Sequence, residues 1–230
     1  LADATGLNKS TVSSLVKQLL DLQFVREVGF SLGSVGRPSV QLEINPAAGY
    51  IVSCELGVDY VEAICANFGA EVIWKQLEPI DTCEQDAIIE QMFALLHAAL
   101  RASQTRCEGE SCLLGLAVGV PGLASSADGS VLFAPHLGWK DFPLLRRLRD
   151  EFGELAIFVE NEANMAALGE YFFGVAQGYR EVLYLSAGSG LGGALIRDGV
   201  LCKGAAGFAG EFGHMTFDLN GPPCGCQNNG

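Results

Sequence analysis

The chain has 230 residues, is 49% hydrophobic and carries a formal net charge of −13, which allows two globular domains with a buried core. Residues 1–46 hold four basic and four acidic side chains, whereas the remainder holds ten basic and 23 acidic ones. The acidic body excludes broad, non-specific nucleic-acid binding, but a neutral N-terminal segment can still bind DNA. No apolar run approaches the ~20 residues of a membrane span, so we expect a cytoplasmic protein with no membrane partner.

The first 46 residues have the pattern of a helix-turn-helix followed by a two-stranded wing. A short helix ends at Gly6, and a second helix with one apolar face runs from Ser10 to about Leu22. Strand patterns then begin at Phe24 and, after a Gly/Ser-rich tip, over 37–44. Because the sequence does not begin with Met and opens within a helix, we expect an N-terminal truncation. A helical hairpin used only for packing is the alternative.

The polar face of the second helix predicts contacts with DNA. A recognition helix must be slim and polar where it enters the major groove, and a wing carries cations to phosphate or to the minor groove. The predicted DNA-binding residues are Lys9, Ser10, Thr11, Ser13, Lys17, Arg26 and Arg37. The first four would lie near base edges.

After residue 46 the pattern changes to that of an α/β domain. Strand patterns beginning at Tyr50, Tyr60 and Glu71 predict an antiparallel meander, and residues 84–102 predict an amphipathic helix. The continuous apolar run over 113–120 predicts a central parallel strand.

A second group of elements begins at residue 156. A strand pattern over 156–159 runs into Glu160-Asn161-Glu162 and then into helix formers. Carboxylates and an amide at the end of a strand are well placed to meet a ligand. The alternative is a carboxylate-rich first helical turn that only complements the helix dipole. A hairpin pattern over 181–196 then restarts the meander.

Together these motifs resemble the ROK family of bacterial sugar-responsive repressors and sugar kinases over almost the whole chain. In order, the resemblance is carried by LNKSTVSSLVKQLLDLQFVRE, GRPSVQLEINP, GVPG, VENEANMAALGE, LSAGSGLGGALI, GFAGEFGH and CGCQNNG. It implies an α/β, actin-like two-lobed sugar kinase (ribonuclease H-like) fold with an N-terminal winged helix-turn-helix, which marks the repressor branch. The implied domains are 1–46 for DNA and 47–230 for sugar, with lobes of roughly 47–160 and 161–230.

The resemblance also implies that the ATP site is altered. Kinases of the family bind ATP with two Gly-rich turns, of which the first usually reads Asp-x-Gly-Gly-Thr. Here it reads Glu55-Leu56-Gly57-Val58-Asp59, so a carboxylate replaces the hydroxyl where phosphate would sit. The second turn, over 188–193, is largely kept, but a tight hairpin would need the same glycines.

The family's kinases follow the strand with Asn-Asp, where the Asp is the general base, whereas this chain has Asn161-Glu162. The extra methylene moves the carboxylate by about 1.5 Å, and a misplacement of about 1 Å costs on the order of 10²-fold in rate while still permitting binding. We therefore expect Glu162 to hold a hydroxyl rather than activate it. The other sugar contacts implied by the resemblance are Gly122, His136, Asn161, Glu211 and His214. His136 replaces a family Asn, which leaves the sugar open, and a structural or surface histidine is the alternative.

Zinc is the implied cofactor. His214, Cys224 and Cys226 supply three of the four ligands of a tetrahedral site, and the family motif Cys-x-Cys-Gly-x-x-Gly-Cys puts the fourth just beyond residue 230. We therefore expect a C-terminal truncation as well. One ring nitrogen of His214 could face zinc and the other the sugar. The six other cysteines are scattered and read as small buried hydrophobes in a reducing cytosol.

These observations predict a sugar-responsive DNA-binding regulator, a repressor, whose kinase-like body binds a monosaccharide without phosphorylating it. It is expected to bind operator DNA as a homodimer or homotetramer and not to be an enzyme. An active ATP-dependent, glucokinase-like sugar kinase is the first alternative, against which Val58, Asp59 and Glu162 argue. A structural adaptor that has lost its ligand is the second, against which the retained Asn161, Glu211 and His214 argue.

Overall fold

The computed structural model describes residues 1–30, 40–104, 113–188, 190–205, 207–224, 226 and 228–229. Within these residues the chain forms five α-helices and four β-sheets. None of the described helices is long and apolar enough to cross a membrane.

The N-terminal residues form two helices and a two-stranded sheet. Helix α1 (Ala2–Thr5) ends at Gly6 in the left-handed conformation, and the Asn8 side chain caps α2 (Lys9–Asp21). Strands β1 (Val25–Phe30) and β2 (Val40–Ile44) pair antiparallel. The predicted helices and strands are confirmed, while the Gly/Ser-rich tip and Arg37 lie outside the described residues.

The apolar face predicted for α2 is only partly covered by the described residues. Leu15 and Leu19 keep 45% and 40% of their surface exposed, and Val12, Val16 and Leu20 are half-buried. Hydrophobic periodicity therefore predicted the helix correctly, although that face is not part of a core within the described residues.

A short joint attaches this N-terminal unit to the body. The rings of Phe24 and Phe68 lie 5.2 Å apart, and Asn45 Nδ2 donates a hydrogen bond of 2.8 Å to the carbonyl of Gln23. The backbone N–H of Phe68 donates to the carbonyl of Pro46 at 3.2 Å. The turn between two strands of the body therefore contacts both the link from α2 to β1 and the chain that leaves β2.

The main sheet of the body has the strand order β10-β6-β3-β4-β5. Its strands are β3 (Tyr50–Leu56), β4 (Tyr60–Asn67), β5 (Val72–Pro79), β6 (Leu113–Val120) and β10 (Ile157–Asn161). Strand β6 lies parallel to both of its neighbours, which confirms the predicted central parallel strand. Its residues are apolar along the whole run because a central strand is covered on both faces.

Two helices cover this sheet and complete the core. Helix α3 (Gln85–Gln104) buries one face that includes Ile88, Met92 and Leu96, and α4 (Leu144–Phe152) buries Leu144 and Leu148. A small sheet of β7 (Leu123–Ala124), β8 (Val131–Ala134) and β9 (Trp139–Phe142) lies between them in sequence. The sequence pattern does not predict these three strands.

Helix α5 (Glu162–Phe172) leads from the main sheet to a second antiparallel meander. This meander consists of β11 (Glu181–Ala187), β12 (Leu191–Arg197) and β13 (Val200–Leu201). Ala167 of α5 packs with Ala194 and Ile196 of β12 in a separate buried cluster. The restart of the meander near residue 181 is therefore confirmed, and the change of sheet falls at the start of α5.

Two glycines at the start of β12 have a packing role. A Cβ at Gly193 would lie 2.4 Å from the Phe212 ring, and one at Gly192 would lie 3.1 Å from the Ala163 Cβ. The close approach of α5 and of Phe212 is therefore a sufficient reason for glycine at these two positions.

Candidate functional site

The carboxyl ends of the parallel strands meet at one edge of the main sheet. The register pairs Glu55 of β3 with Gly119 of β6, and Asn161 of β10 with Val120 of β6. The glycine turn after β6 and the first turn of α5 therefore lie side by side. This is the edge at which open α/β sheets bind ligands.

The Asn161 side chain is held by protein groups at this edge. Its Oδ1 accepts hydrogen bonds from the backbone N–H of Ala163 at 2.9 Å and of Asn164 at 3.1 Å, which caps α5. Its Nδ2 donates to the carbonyl of Gly122 at 2.9 Å. Asn161 thus joins the two turns, and one Nδ2 hydrogen is left for a ligand.

A glycine is required at position 122 because another backbone segment of the protein lies very close to it. It has φ 151°, and a Cβ there would lie 2.3 Å from the carbonyl oxygen of Phe133. The resemblance implies a sugar contact at Gly122, and the close approach of strand β8 is a separate reason for a glycine there.

Three carboxylates line one cavity beside these turns: Glu55, Glu62 and Glu162. Glu55 and Glu62 lie directly opposite each other on β3 and β4, an arrangement in which like charges repel. Two contacts relieve this repulsion, because the Tyr60 hydroxyl donates a hydrogen bond to Glu55 and Lys75 Nζ lies 2.8 Å from Glu62 Oε1. Among the described residues, no cation forms an ion pair with Glu162.

The Glu162 carboxyl is consequently harder to ionise than a free carboxyl. Burial, followed by the nearby Glu55 carboxylate, raises the pKa of Glu162 to about 7. Burial and the hydrogen bond to Glu55 likewise raise the pKa of Tyr60. At neutral pH the Glu162 side chain can therefore donate or accept a hydrogen bond.

The first Gly-rich turn is covered by an aromatic ring. A Cβ at Gly57 would lie 2.4 Å from the Tyr60 ring, and the Gly57 N–H donates to the Tyr60 carbonyl at 2.8 Å. Asp59 is exposed at the tip of this turn. The turn is thus closed by its own tyrosine, which sequence reasoning did not predict.

A second cluster forms around His214 at the end of the short 3-10 helix Phe212–His214. His214 Nδ1 lies 3.4 Å from Cys224 Sγ, and its Nε2 lies 3.8 Å from Glu211 Oε2. Burial raises the pKa of the Glu211 carboxyl, an effect that His214 opposes. One ring nitrogen of His214 therefore faces sulfur and the other faces a carboxylate.

The three predicted zinc ligands are brought together. The ligand atoms of His214, Cys224 and Cys226 all lie within 4.8 Å of one another. Hydrogen bonds from the backbone and side chain of Cys226, then from His214, lower the pKa of the Cys224 thiol to about 7. Imidazole and thiolate are the ligands that zinc prefers, so this group of residues fits the ion.

The remaining predicted site residues that the structure describes lie at the surface. His136 is exposed on the 3-10 helix Pro135–Leu137, and its sugar contact stays a prediction.

The five predicted DNA contacts on α2, Lys9, Ser10, Thr11, Ser13 and Lys17, are all exposed. Arg26 Nε lies 2.5 Å from Glu43 Oε1 across the β1–β2 pair. An exposed ion pair of this kind contributes only about 0.2–1 kcal/mol, so a phosphate can compete for Arg26.

Sequence reasoning missed Glu62 and Tyr60 as members of the acidic cluster, and treated Glu55 only as part of a turn. The hairpin pattern over residues 50–66 was the feature of the sequence that could have indicated this cluster. A two-strand register across the 57–59 turn puts residue 55 opposite residue 62, and such opposed carboxylates are unfavourable without a compensating role.

The chain is similar to known proteins in both fold and sequence. The chain has the α/β sugar-kinase-like fold of a ROK glucokinase from Streptomyces griseus, solved with glucose and AMPPNP: TM-score 0.68, 30% identity, covering 79% of this chain and 55% of that one. The ROK family profile matches residues 51–230. The chain belongs to the ROK family.

Two further relatives match the chain over its whole length. A ROK family transcriptional regulator, described as a homolog of the E. coli MLC protein, is 26% identical with TM-score 0.78 and covers 100% of this chain and 57% of that one. The xylose repressor of Caldicellulosiruptor bescii is 38% identical over 100% of this chain and 57% of its own length. The chain thus spans somewhat more than half the length of these relatives.

Proposed function

We propose that this protein is a sugar-responsive transcriptional repressor whose kinase-like body binds a monosaccharide and does not phosphorylate it. The observation that supports the proposal is that a unit of two helices and two strands precedes the kinase-like body on one chain. Residues 1–46, proposed as a winged helix-turn-helix, precede the body over 47–230, with lobes of roughly 47–160 and 161–230. The similarity to a xylose repressor over the whole of this chain supports D-xylose as the first effector to test.

The proposed DNA interface is the exposed face of α2. Small polar side chains and Lys9 stand in its first turns, where a recognition helix meets base edges, and Lys17 stands further along. In a homodimer or homotetramer two such helices would read paired half-sites. The wing, with Arg26 and Arg37, would lie against the phosphate backbone.

Replacing Lys17 by alanine should weaken operator binding and reduce the slope of log affinity against log salt by about one, because one phosphate contact is lost. Anisotropy titrations at several salt concentrations measure that slope. Lys140→Ala, which removes an exposed lysine on β9, is the matched control and should leave the slope unchanged. An unchanged slope for Lys17→Ala would remove this residue from the interface.

The proposed effector site lies at the carboxyl edge of the main sheet and extends to the Glu211–His214 segment. Glu162 would accept a hydrogen bond from a sugar hydroxyl. The other proposed sugar contacts are Glu211, His214, Asn161 and the exposed His136. Because Asn161 already caps α5 and bonds to Gly122, it contributes at most one donor. Sugar binding between the lobes would favour one lobe arrangement, and the Phe24–Phe68 joint would carry the change to the DNA-binding unit.

Zinc is proposed as a structural cofactor held by His214, Cys224 and Cys226. Bound there, it would fix the position of the His214 ring beside Glu211 and add to the free energy of unfolding. A fourth ligand just beyond residue 230 remains part of this proposal.

One observation favours the alternative function of a sugar kinase. A carboxyl with a pKa of about 7 has the value that suits a general base at neutral pH, and Glu162 stands where the family's kinases carry theirs. Against it stand the exposed Asp59 carboxylate in the first Gly-rich turn and the Tyr60 ring that covers the same turn. Negative charge there opposes the approach of ATP phosphates.

The deciding experiment compares sugar-dependent DNA release with sugar-dependent ATP turnover. Duplexes selected by the protein from a random pool supply the operator, which is titrated with and without D-xylose or D-glucose. We expect a sugar-dependent change in operator affinity and no ATP turnover above background in a coupled assay with Mg-ATP. Turnover by the wild-type protein that is lost in Glu162→Ala would establish the kinase instead.

A further inference from the structure

The side chain of Lys203 joins three segments that are distant in sequence. Lys203 follows β13, and its Nζ forms an ion pair with Glu160 at the end of β10. The same Nζ lies 3.2 Å from Ser126 Oγ, in the loop that follows Gly122 and β7. The Lys203 and Glu160 side chains are 33% and 19% exposed, so this contact is shielded from water far more than an ordinary surface pair.

The Glu160 carboxylate holds the junction between β10 and α5. Its Oε1 accepts hydrogen bonds of 3.0 Å from the Asn161 backbone N–H and from Asn164 Nδ2. Asn164 is buried, with 7% of its surface exposed. The carboxylate therefore fixes the turn on which Glu162 stands, and Lys203 supplies the cation that a half-buried carboxylate needs.

The backbone of Lys203 holds a second segment. Its carbonyl accepts a hydrogen bond of 3.1 Å from the Ala209 N–H, directly before the residues that lead to Glu211 and His214. A Cβ at Gly210 would lie 2.7 Å from the Gly193 carbonyl oxygen, so this stretch also lies tightly against β12. Lys203 is thus bonded at one end to the Glu160–Glu162 junction and at the other to the Glu211–His214 segment.

We propose that Lys203 is a positioning residue that sets the spacing between the two halves of the effector site without touching the effector. Its ammonium group ties the Glu162 turn and the Ser126 loop to the segment carrying Glu211 and His214. This inference rests on the proposed function, because the spacing matters for binding only if both halves hold the sugar. Two other ion pairs that follow α5, Arg180–Asp198 and Arg197–Glu181, are largely exposed and lie within one hairpin sheet, so they cannot serve this role.

The test compares Lys203→Met with Lys203→Arg in the full chain. Lys203→Met should lower the affinity for D-xylose, measured by calorimetry, by about tenfold or more, since misplacing polar groups by about 1 Å has large effects in organised sites. Operator affinity without sugar should stay within about twofold of wild type, because α2 is remote from the change. Lys203→Arg keeps the cation and should recover most of the loss, and Ser126→Ala, a mild change, should give an intermediate loss.

A second measurement does not depend on the effector. Hydrogen exchange at the Asn161 and Ala209 amides should accelerate together in Lys203→Met and stay at the wild-type rate in Arg197→Gln, the matched control. Exchange that accelerates in only one of the two segments, or wild-type sugar affinity in Lys203→Met, would overturn the positioning role. If wild-type protein fails to bind D-xylose, the proposed effector is wrong, and the exchange rates still decide whether Lys203 joins the two segments.

Discussion

Replacing Glu162 by alanine is expected to abolish the response of operator binding to sugar while leaving operator binding itself intact. A sugar that distinguishes two lobe arrangements changes operator affinity by roughly 5–150-fold, the usual range of coupling between two sites. Alanine removes the carboxylate proposed to accept a hydrogen bond from a sugar hydroxyl. The ratio of operator affinities with and without D-xylose should therefore fall to about one. Anisotropy titrations of labelled operator measure both quantities.

The matched control for this variant is Glu90→Ala, which removes an exposed carboxylate from α3. It should keep the full sugar response and the wild-type operator affinity. A response of wild-type size in Glu162→Ala would show that the hydroxyl is held elsewhere. Loss of operator affinity without sugar would show that the junction after β10 is needed for the DNA-binding arrangement itself.

The same carboxyl predicts how stability and sugar affinity depend on pH. Folding raises the pKa of Glu162 from 4.5 to about 7, so its contribution to stability is complete below pH 4.5 and is lost as the pH rises through 7. Glu162→Gln cannot ionise, so its melting temperature should rise relative to wild type between about pH 5 and pH 8. A hydroxyl donor prefers the ionised carboxylate, so wild-type sugar affinity should fall below neutral pH.

The pH dependence must be distinguished from the titration of the other groups that face Glu162. Glu55 and Glu62 stand across the cavity, Tyr60 bonds to Glu55, and Lys75 pairs with Glu62. Only the Glu162 variant should flatten the pH dependence of sugar affinity. Parallel melting curves and parallel affinity profiles for wild type and Glu162→Gln would assign the titration to another group.

Replacing Cys224 by serine is expected to remove tightly bound zinc. With the proposed fourth ligand in place, wild-type protein should retain about one zinc per protomer after dialysis, because structural zinc sites are four-coordinate. Losing a thiolate leaves too few ligands to compete with a chelator, and the melting temperature should fall as the metal's contribution to folding is lost. Elemental analysis and thermal melts measure the two effects.

Cys83→Ser is the matched control for zinc, because Cys83 is an exposed cysteine outside the cluster. It should retain the metal and the wild-type melting temperature. Cys226→Ser should reproduce the loss seen with Cys224→Ser. Wild-type zinc content in both cluster variants would contradict the proposed site.

The order of the helices and strands could be predicted from the sequence because it depends on local chemistry. Asn8 and Gly6 bound the N-terminal helices, and the unbroken apolar run over 113–120 marked the central strand. The zinc candidates were equally readable, because Cys224 and Cys226 are two residues apart and the family motif pairs them with His214. Strands β7 to β9 were not predicted, since they are two to four residues long and carry no clear period.

Only the tertiary structure decided what surrounds the site. The roles of Glu55 and Glu62 depend on the register between β3 and β4, and Tyr60 acts by folding back over Gly57. The contact between Lys203 and Glu160 spans 43 residues of sequence, so no local pattern could indicate it. Residue type and spacing thus determined which groups could hold a sugar or a metal. Their protonation, their partners and their spacing depend on burial and long-range packing, which arise only when distant segments meet.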